Sequence, residues 1–456
     1  MMNHRGPSVR IDGLPEAMDS RAFADVDVLE SIVNRYADEL GTGRMERLRG
    51  PLIATGHQAY LYHPGILAKD LLLREARESG ASVLHVVVDQ DAHDVWGVDL
   101  PEVRGDRLTV RHVRLARDEP TLATGVRDAV RPSVDAAAPL LKTPESLPGD
   151  SVAQQMTAWL ARLRWGGDNP LPVLFVSDLD ALPTYWQLVR ELVDDAPAAV
   201  RAYNKACMAH PEAGMSLLAE SAELVEVPLW AVRYGEPRQR VFVDVADRQH
   251  QMVLADGTPL GDDASVWPRA LMLTAYLRAS LVSLFVHGTG GHVYDRITER
   301  WWRAWRGETL APEAMVTADA YLDFPTPVND TKDLRDAVWW RHHLPHNLDR
   351  HVDGVDPDLA SEKRGLLSAM PAMDRSGRRQ AFERLHRIND RLAATHADEL
   401  RDADRRLERT RVGISNREIA RRRDWFFGLY PDAQLEGIAD ELRVDAQRLL
   451  GVGSRV

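Results

Sequence analysis

Residues 51–94 constrain the fold more than any other stretch of this chain. The short apolar run Leu52 to Ala54 suits a buried strand, and Thr55 and Gly56 are expected to end it in a tight turn. Pro64 is tolerated in the first turn of a helix, where its missing N–H has no intrahelical partner to lose. Ile66, Leu67, Leu71 and Arg74 then recur at helical spacing until Gly80 stops the helix. Val83 to Val88 is almost uninterruptedly apolar, as a parallel strand covered on both faces must be. The stretch therefore predicts a strand–helix–strand unit of a parallel sheet, whose ligand crevice lies outside the carboxyl ends of the strands. Polar groups collect at both ends: Thr55, His57 and Gln58 after the first strand, Asp89, Asp91, His93 and Asp94 after the second.

The remaining segments are expected to build on this unit. Residues 1–50 read as a peripheral helical segment, with Phe23, Val26, Val28, Leu29, Ile32, Val33 and Tyr36 as its apolar stripe. Leu108, Val110 and His112 alternate like a half-exposed strand, and residues 116–150 read as irregular or short helical material. A helix is predicted around Val152–Leu163. Another buried strand, Pro172 to Ser177, follows, then Asp178-Leu-Asp180 and a helix from Pro183. Leu224–Trp230, Arg240–Val245 and Gln249–Leu254 read as an antiparallel meander inserted into the core. Trp267 to Ser280 reads as a helix, and Ser283 to Asp295 as a strand, a glycine-rich turn and a helix reaching about Trp305. Backbone N–H groups at such a helix start can hold an anion.

Residues 306–358 read as an irregular connection. Arg341-His-His-Leu-Pro-His346 matches no closed zinc spacing and reads as a surface histidine group. Over 359–411, Phe382, Leu385, Ile388, Leu392, His396, Leu400, Ala403 and Leu407 step by three or four, which predicts a coiled coil or helical hairpin. The aromatic segment within 412–456 is expected to pack back on the core spanning 51–305.

With 456 residues, 44% hydrophobic and 28% charged, the chain can bury a large core. It has no apolar run of the ~18 residues needed to cross a bilayer, and Met1 to Gly13 show no apolar leader core. Cys207 is the single cysteine, so no internal disulfide can form, and a reducing cytoplasm is expected. A net charge of −12 argues against general nucleic-acid binding, and no membrane association is expected. Lysine is scarce, which makes Lys69 inside the opening motif more noticeable.

Asp91, His93 and Asp94 read as general acid–base groups, as structural caps, or less well as metal ligands, since a second histidine at fixed spacing is missing. No metal is therefore assigned. His57, His63, Lys69 and the helix start at Pro64–Gly65 would together suit a nucleotide phosphate or another anion.

Four segments resemble, in the same order, the bacillithiol biosynthesis cysteine-adding enzyme family. Thr55-Gly56-His57-Gln58 with His63-Pro64-Gly65 and Lys69 is similar to that family's T-G-Q-Q motif and its glycine-proline turn. Asp89-Gln-Asp91-Ala-His93-Asp94 is similar to its E-D-H-D strand end. Arg269–Arg278 with His287–Tyr294 is similar to its R-P helix and glycine turn, and Leu429–Glu436 to its carboxyl-terminal motif. The resemblance implies an α/β fold: a Rossmann-like, nucleotidyltransferase-type parallel core with a small antiparallel insertion and a C-terminal coiled-coil arm used in a homodimer. It implies a carbon–nitrogen ligase that joins an activated carboxylate, cysteine in the family, to an amine acceptor, with ATP or another nucleotide as the activating cofactor. His57, His63, Asp91, His93 and Asp94 are then the candidate catalytic groups. Thr55, Gly56, Gln58, Gly65, Lys69, Asp89, Arg269, His287, Gly288, Gly290, His292 and Tyr294 are the candidates for binding the small-molecule substrate or nucleotide. His57 stands in place of glutamine and Gly291 in place of an acid, which leads us to expect a different acceptor. A metal-dependent hydrolase on the same strand ends and a non-catalytic partner protein are the competing expectations.

Overall fold

The computed structural model describes residues 7–15, 18, 23–48, 50–118, 120–132, 146–165, 170–246 and 250–449. The expectations for residues 1–6, 133–145 and 450–456, and for Gln249, lie outside them. Strands are numbered in chain order: β1 (Ser8–Asp12), β2 (Leu52–Gln58), β3 (Ser82–Val88), β4 (Gly97–Arg104), β5 (Arg107–Arg114) and β6 (Val173–Phe175). They continue with β7 (Leu224–Val232), β8 (Gln239–Asp244), β9 (Gln251–Val253), β10 (Ser265–Pro268), β11 (Leu284–His287) and β12 (Glu313–Asp319). The chain divides into two compact units. One comprises residues 1–99, 112–321 and 423–456, the other 100–111 and 322–422.

The first unit is a mixed α/β body on a six-stranded sheet of order β1-β12-β11-β2-β3-β6. Strands β12, β11, β2, β3 and β6 are parallel, and β1 closes one edge antiparallel to β12. Chain order runs outward from β2 through β3 to β6 on one side, then resumes with β11 and β12 on the other. The winding thus reverses between β2 and β11, and the connections leaving two neighbouring strands diverge to open a crevice there.

Local sequence explains much of the centre of this sheet. Leu52, Ile53, Ala54, Leu84 and Val86 are fully buried, as a doubly covered parallel sheet requires. The Pro64–Glu78 helix packs on β3 and β12, and the C-terminal Asp432–Leu449 helix lies against it. Asp70 on that helix accepts from Tyr62 Oη at 2.6 Å and pairs with His85 Nδ1 of β3 at 2.6 Å. All three are buried, so this polar bridge holds the helix to the strand while leaving these atoms hydrogen-bonded. Trp425, Phe426 and Phe427 are buried in this unit, and Phe427 N–H donates to the Tyr62 carbonyl at 2.9 Å. The C-terminal segment belongs to this unit from residue 423, not from 412.

Four expectations about elements are corrected. The first strand does not stop at Ala54: Thr55 and Gly56 are paired with His85 and Val86 of β3 and the strand runs to Gln58. Gly56 serves close strand approach there, because a Cβ would lie 3.0 Å from the Val86 carbonyl oxygen. Trp267 and Pro268 belong to β10, which joins β7, β8 and β9 in a four-stranded antiparallel sheet, and the helix starts only at Ala270. Residues 1–50 contain β1 in addition to the Val26–Leu40 helix. The strand expected at Leu108–His112 is β5, and it pairs with β4, for which no expectation was drawn. The stretch 306–358 is not irregular, since it holds β12 and the Thr331–His343 helix. Glu and Asp at the two ends of β12 shorten its apolar run below the usual strand signal.

The second unit is helical apart from its hairpin residues: Thr331–His343, Leu348–His351, Pro357–Ala369, Arg375–Thr395 and Ala397–Ala420. Asp330 and Asp333 form a reciprocal capping box, and Asp356 and Asp374 cap the next two long helices. The stripe read over 382–407 is interrupted at His396, where one helix ends and the next begins. Its members Ile388, Leu392 and Ala403 are buried against Leu344 and Leu348 of the same chain, with Leu359 and Leu400 alongside. Those residues thus find their apolar cover within the chain, and Phe382 remains 59% exposed. No described helix is long and apolar enough to cross a membrane.

Candidate functional site

A crevice of about 380 Å³ opens at the carboxyl ends of β2, β3 and β11. Gly56, His57 and Gln58 reach it from β2, Gln90 and Asp91 from the residues after β3, and His287 to Gly291 from the turn after β11. His63, Gly65 and Lys69 line it from the next helix, Tyr294 from the Thr289–Arg306 helix, and Arg423 from the C-terminal segment. Leu273, Leu277 and Phe285 supply apolar wall. Segments far apart in sequence are thus brought together where the winding of the sheet reverses.

Lys69 is only 3% exposed, and its Nζ donates to the Gly56 carbonyl at 2.7 Å. Burial lowers its pKa to about 8, because an ammonium loses hydration there. His57 packs against Tyr60 and Tyr62, with ring centroids at 5.1 and 5.6 Å. Burial, then the neighbouring Lys69 charge, holds its pKa well below the usual value, so the imidazole is neutral. His63 caps the Pro64–Glu78 helix: its Nδ1 accepts from the Gly65 N–H at 3.1 Å. That acceptor role requires an unprotonated Nδ1, in keeping with a pKa lowered by burial and by Arg423.

The second motif separates into parts. Asp91 reaches the crevice, but Gln58 Nε2 donates to one of its oxygens at 2.9 Å and Arg238 to the other at 2.7 Å. His93 and Asp94 border a different, shallower hollow with Tyr60 and Arg238. Asp94 accepts from the Trp96 and Gly97 N–H groups and pairs with Arg114 at 2.7 Å, which makes it a turn and ion-pair residue. Asp89 is buried outside the crevice lining and accepts from the Ser177 N–H at 3.0 Å, tying the end of β3 to the turn after β6. Burial pushes its pKa up to about 7.

Two further candidates are structural. Thr55 is fully buried and its hydroxyl donates to the Val286 carbonyl at 2.7 Å, joining β2 to β11. Arg269 bonds the buried Glu226 at 2.6 Å and lies over Trp230, 4.7 Å from the ring centroid. Its neighbour Ala270, not Arg269, lines the crevice.

The glycine turn has a specific steric reason. A Cβ at Gly291 would lie 2.4 Å from His287 Nδ1, so the histidine ring fills the space that a side chain at 291 would enter. The imidazole at 287 and the glycine at 291 are one steric unit. Gly288 and Gly290 line the crevice with Thr289, where the first N–H groups of the Thr289–Arg306 helix have no intrahelical acceptors. Tyr294 has its pKa pushed up to about 12 by burial, and it enters the crevice as a neutral phenol.

Behind this turn lies a buried network whose acidic members, Asp295, Glu299 and Glu313, motif reading did not single out. Arg278 is 1% exposed and donates to Asp295 at 2.5 Å, to Glu299 at 2.7 Å and to the Ala311 carbonyl at 2.6 Å. His287 Nε2 lies 3.0 Å from Asp295 Oδ2, and His292 Nδ1 lies 2.7 Å from Glu313 Oε1. His292 therefore faces Glu313 and is not among the crevice-lining residues. The i,i+4 pair Asp295 and Glu299 was the available signal, since both reach one buried arginine from one helix face. No protein-family model and no curated protein matches this chain.

Proposed function

We propose that this chain is a carbon–nitrogen ligase with a Rossmann-like, nucleotidyltransferase-type core, which activates a carboxylate with a nucleotide and transfers it to an amine. The observation that carries this reading is the convergence in one crevice of the β2 motif, Asp91, the glycine turn after β11 and Arg423 of the C-terminal segment. The parallel order with its reversal between β2 and β11 supports it, because doubly wound sheets bind nucleotides at that point.

Lys69, Arg423 and the N–H groups at 289–291 supply positive charge and donors for phosphate. In the reaction, a carboxylate oxygen attacks the α-phosphorus of a nucleoside triphosphate, the bond from that phosphorus to the β-phosphate breaks, and pyrophosphate leaves. The amine nitrogen then attacks the activated carbonyl carbon, the C–O bond to the phosphoryl group breaks, and the nitrogen loses a proton. In this reading neutral His57 accepts that proton, and Asp91, held by Gln58 and Arg238, orients the amine. A side chain at 291 would collide with the His287 ring, so the acidic residue of the resembled family has no counterpart there, and this reading expects an amine acceptor other than glucosaminyl-malate, the acceptor in that family.

The test is a mass-spectrometric screen of purified protein with ATP, the amino acids including cysteine, and a panel of amines. Nucleotide-dependent formation of an amide with a non-malate acceptor is expected. Absence of any nucleotide binding and of any coupled product would overturn the assignment. Rapid cysteinyl-glucosaminyl-malate formation would instead restore the family's own acceptor.

A further inference from the structure

We propose that His287, Asp295 and Glu313 form a binding site for one divalent transition-metal ion, of the zinc class, beside the crevice. One ligand atom from each of the three lies within 4.8 Å of the other two. His287 is the last residue of β11, Asp295 lies in the second turn of the following helix and Glu313 begins β12, so a single β–α–β passage brings them together. Asp295 and His287 are buried, at 0% and 5% exposure.

The two carboxylates are arranged alike. Asp295 has Arg278 and His287 on Oδ2, while among the described residues no hydrogen bond of ordinary geometry reaches Oδ1. The Thr298 hydroxyl stands beside Asp295, itself buried and without a hydrogen bond of ordinary geometry. Glu313 has His292 on Oε1, while Oε2 is buried and unfilled. Each carboxylate is thus oriented through one oxygen and keeps another atom vacant in the interior. Burying such acceptors without a partner is costly. Ligating carboxylates are commonly held in just this way by outer hydrogen bonds.

A nitrogen and two carboxylate oxygens suit Zn²⁺ or Co²⁺, with open positions for water or substrate. Ligand atoms around a tetrahedral ion at 2.0–2.2 Å sit roughly 3.4 Å apart. Small side-chain rotations would close this triad on an ion. Of the three, His287 also lines the crevice, so the ion would lie at its wall as a Lewis acid within reach of a bound oxygen.

The site is independent of the ligase reading and can be tested without activity. Full-length protein purified without chelators is analysed for metal content, then stripped and titrated with Co²⁺ and with Zn²⁺. About one ion per chain, d–d absorption bands of a low-coordinate cobalt site and a rise in Tm with Zn²⁺ are expected. Glu313→Gln should abolish the cobalt bands, and His292→Ala should weaken affinity about 10–100-fold by freeing Glu313. Asp295→Asn should also abolish them, and Glu313→Gln stands alone if that variant does not fold. Lys69→Met should keep the metal while losing anion binding, which separates this inference from the ligase proposal. A folded parent that carries no metal and binds neither ion at ~100 µM would overturn it. So would cobalt bands unchanged in Glu313→Gln.

Discussion

Replacing Lys69 by methionine should stabilise the protein at neutral pH while weakening its hold on anions. The ammonium is 3% exposed and bonds the Gly56 carbonyl, and burial lowers its pKa from 10.5 to about 8. A folded-state pKa below the unfolded one means that the unfolded chain binds more protons between those values. The group therefore opposes folding in full below about pH 8, and its penalty fades as the pH rises towards 10.5. At 1.36 kcal/mol per pH unit the penalty is roughly 3 kcal/mol. Methionine fills similar volume without charge but leaves the Gly56 carbonyl without this donor, a loss of ~1–2 kcal/mol. A net gain of about 1–2 kcal/mol at pH 7 follows, shrinking and then reversing between about pH 8 and 10.5. Urea denaturation of parent and variant from pH 6 to 10 measures it, and thermal shifts with ATP and with pyrophosphate report the anion site. A variant less stable at pH 7, by an amount independent of pH, would refute the argument that Lys69 is held charged at an energetic cost. Unchanged affinity for both anions would refute its phosphate role.

Three other outcomes are expected. Gly291→Ala should cost about 1–3 kcal/mol and distort the crevice, because its methyl group meets the His287 ring. Gly290→Ala meets nothing within 4 Å and should be neutral or slightly stabilising, and thermal denaturation compares the two. Asp89→Asn tests a carboxylate whose folded pKa is raised to about 7: the parent should lose stability relative to the variant as pH rises from 4 to 7, by up to about 4 kcal/mol, and no further above it. Chemical denaturation across that range reads the slope. Leu392→Ala should cost ~2–5 kcal/mol by emptying the helical core, with no change in the mass measured by light scattering, since its contacts lie within one chain.

The stretch from Leu52 to Val88 shows what the sequence by itself determined. Continuous apolar runs, a proline one turn before a helical repeat and a closing glycine are local signals, and they placed two adjacent parallel strands and the helix between them. They also placed the glycine turn after β11, and among the residues they singled out, His57, Gln58 and Asp91 at strand ends and Lys69 on the following helix line the crevice. Strand order was beyond such signals. Whether β11 lies beside β2 or beside β6 depends on backbone pairing between residues more than 200 positions apart, and periodicity carries no trace of it. The same limit applies to role. Arg269 carries a chemistry-bearing side chain near a motif, yet a tertiary contact commits it to a buried ion pair with Glu226, while His63 and Asp94 are held as a helix cap and a turn by backbone N–H groups two or three residues on. His287, Asp295 and Glu313 are spread over 27 positions and meet only because a strand, a helix and the next strand fold onto one another. A side chain's chemistry is local, but its pKa, partners and access to ligand belong to whatever the folded chain brings within a few ångströms.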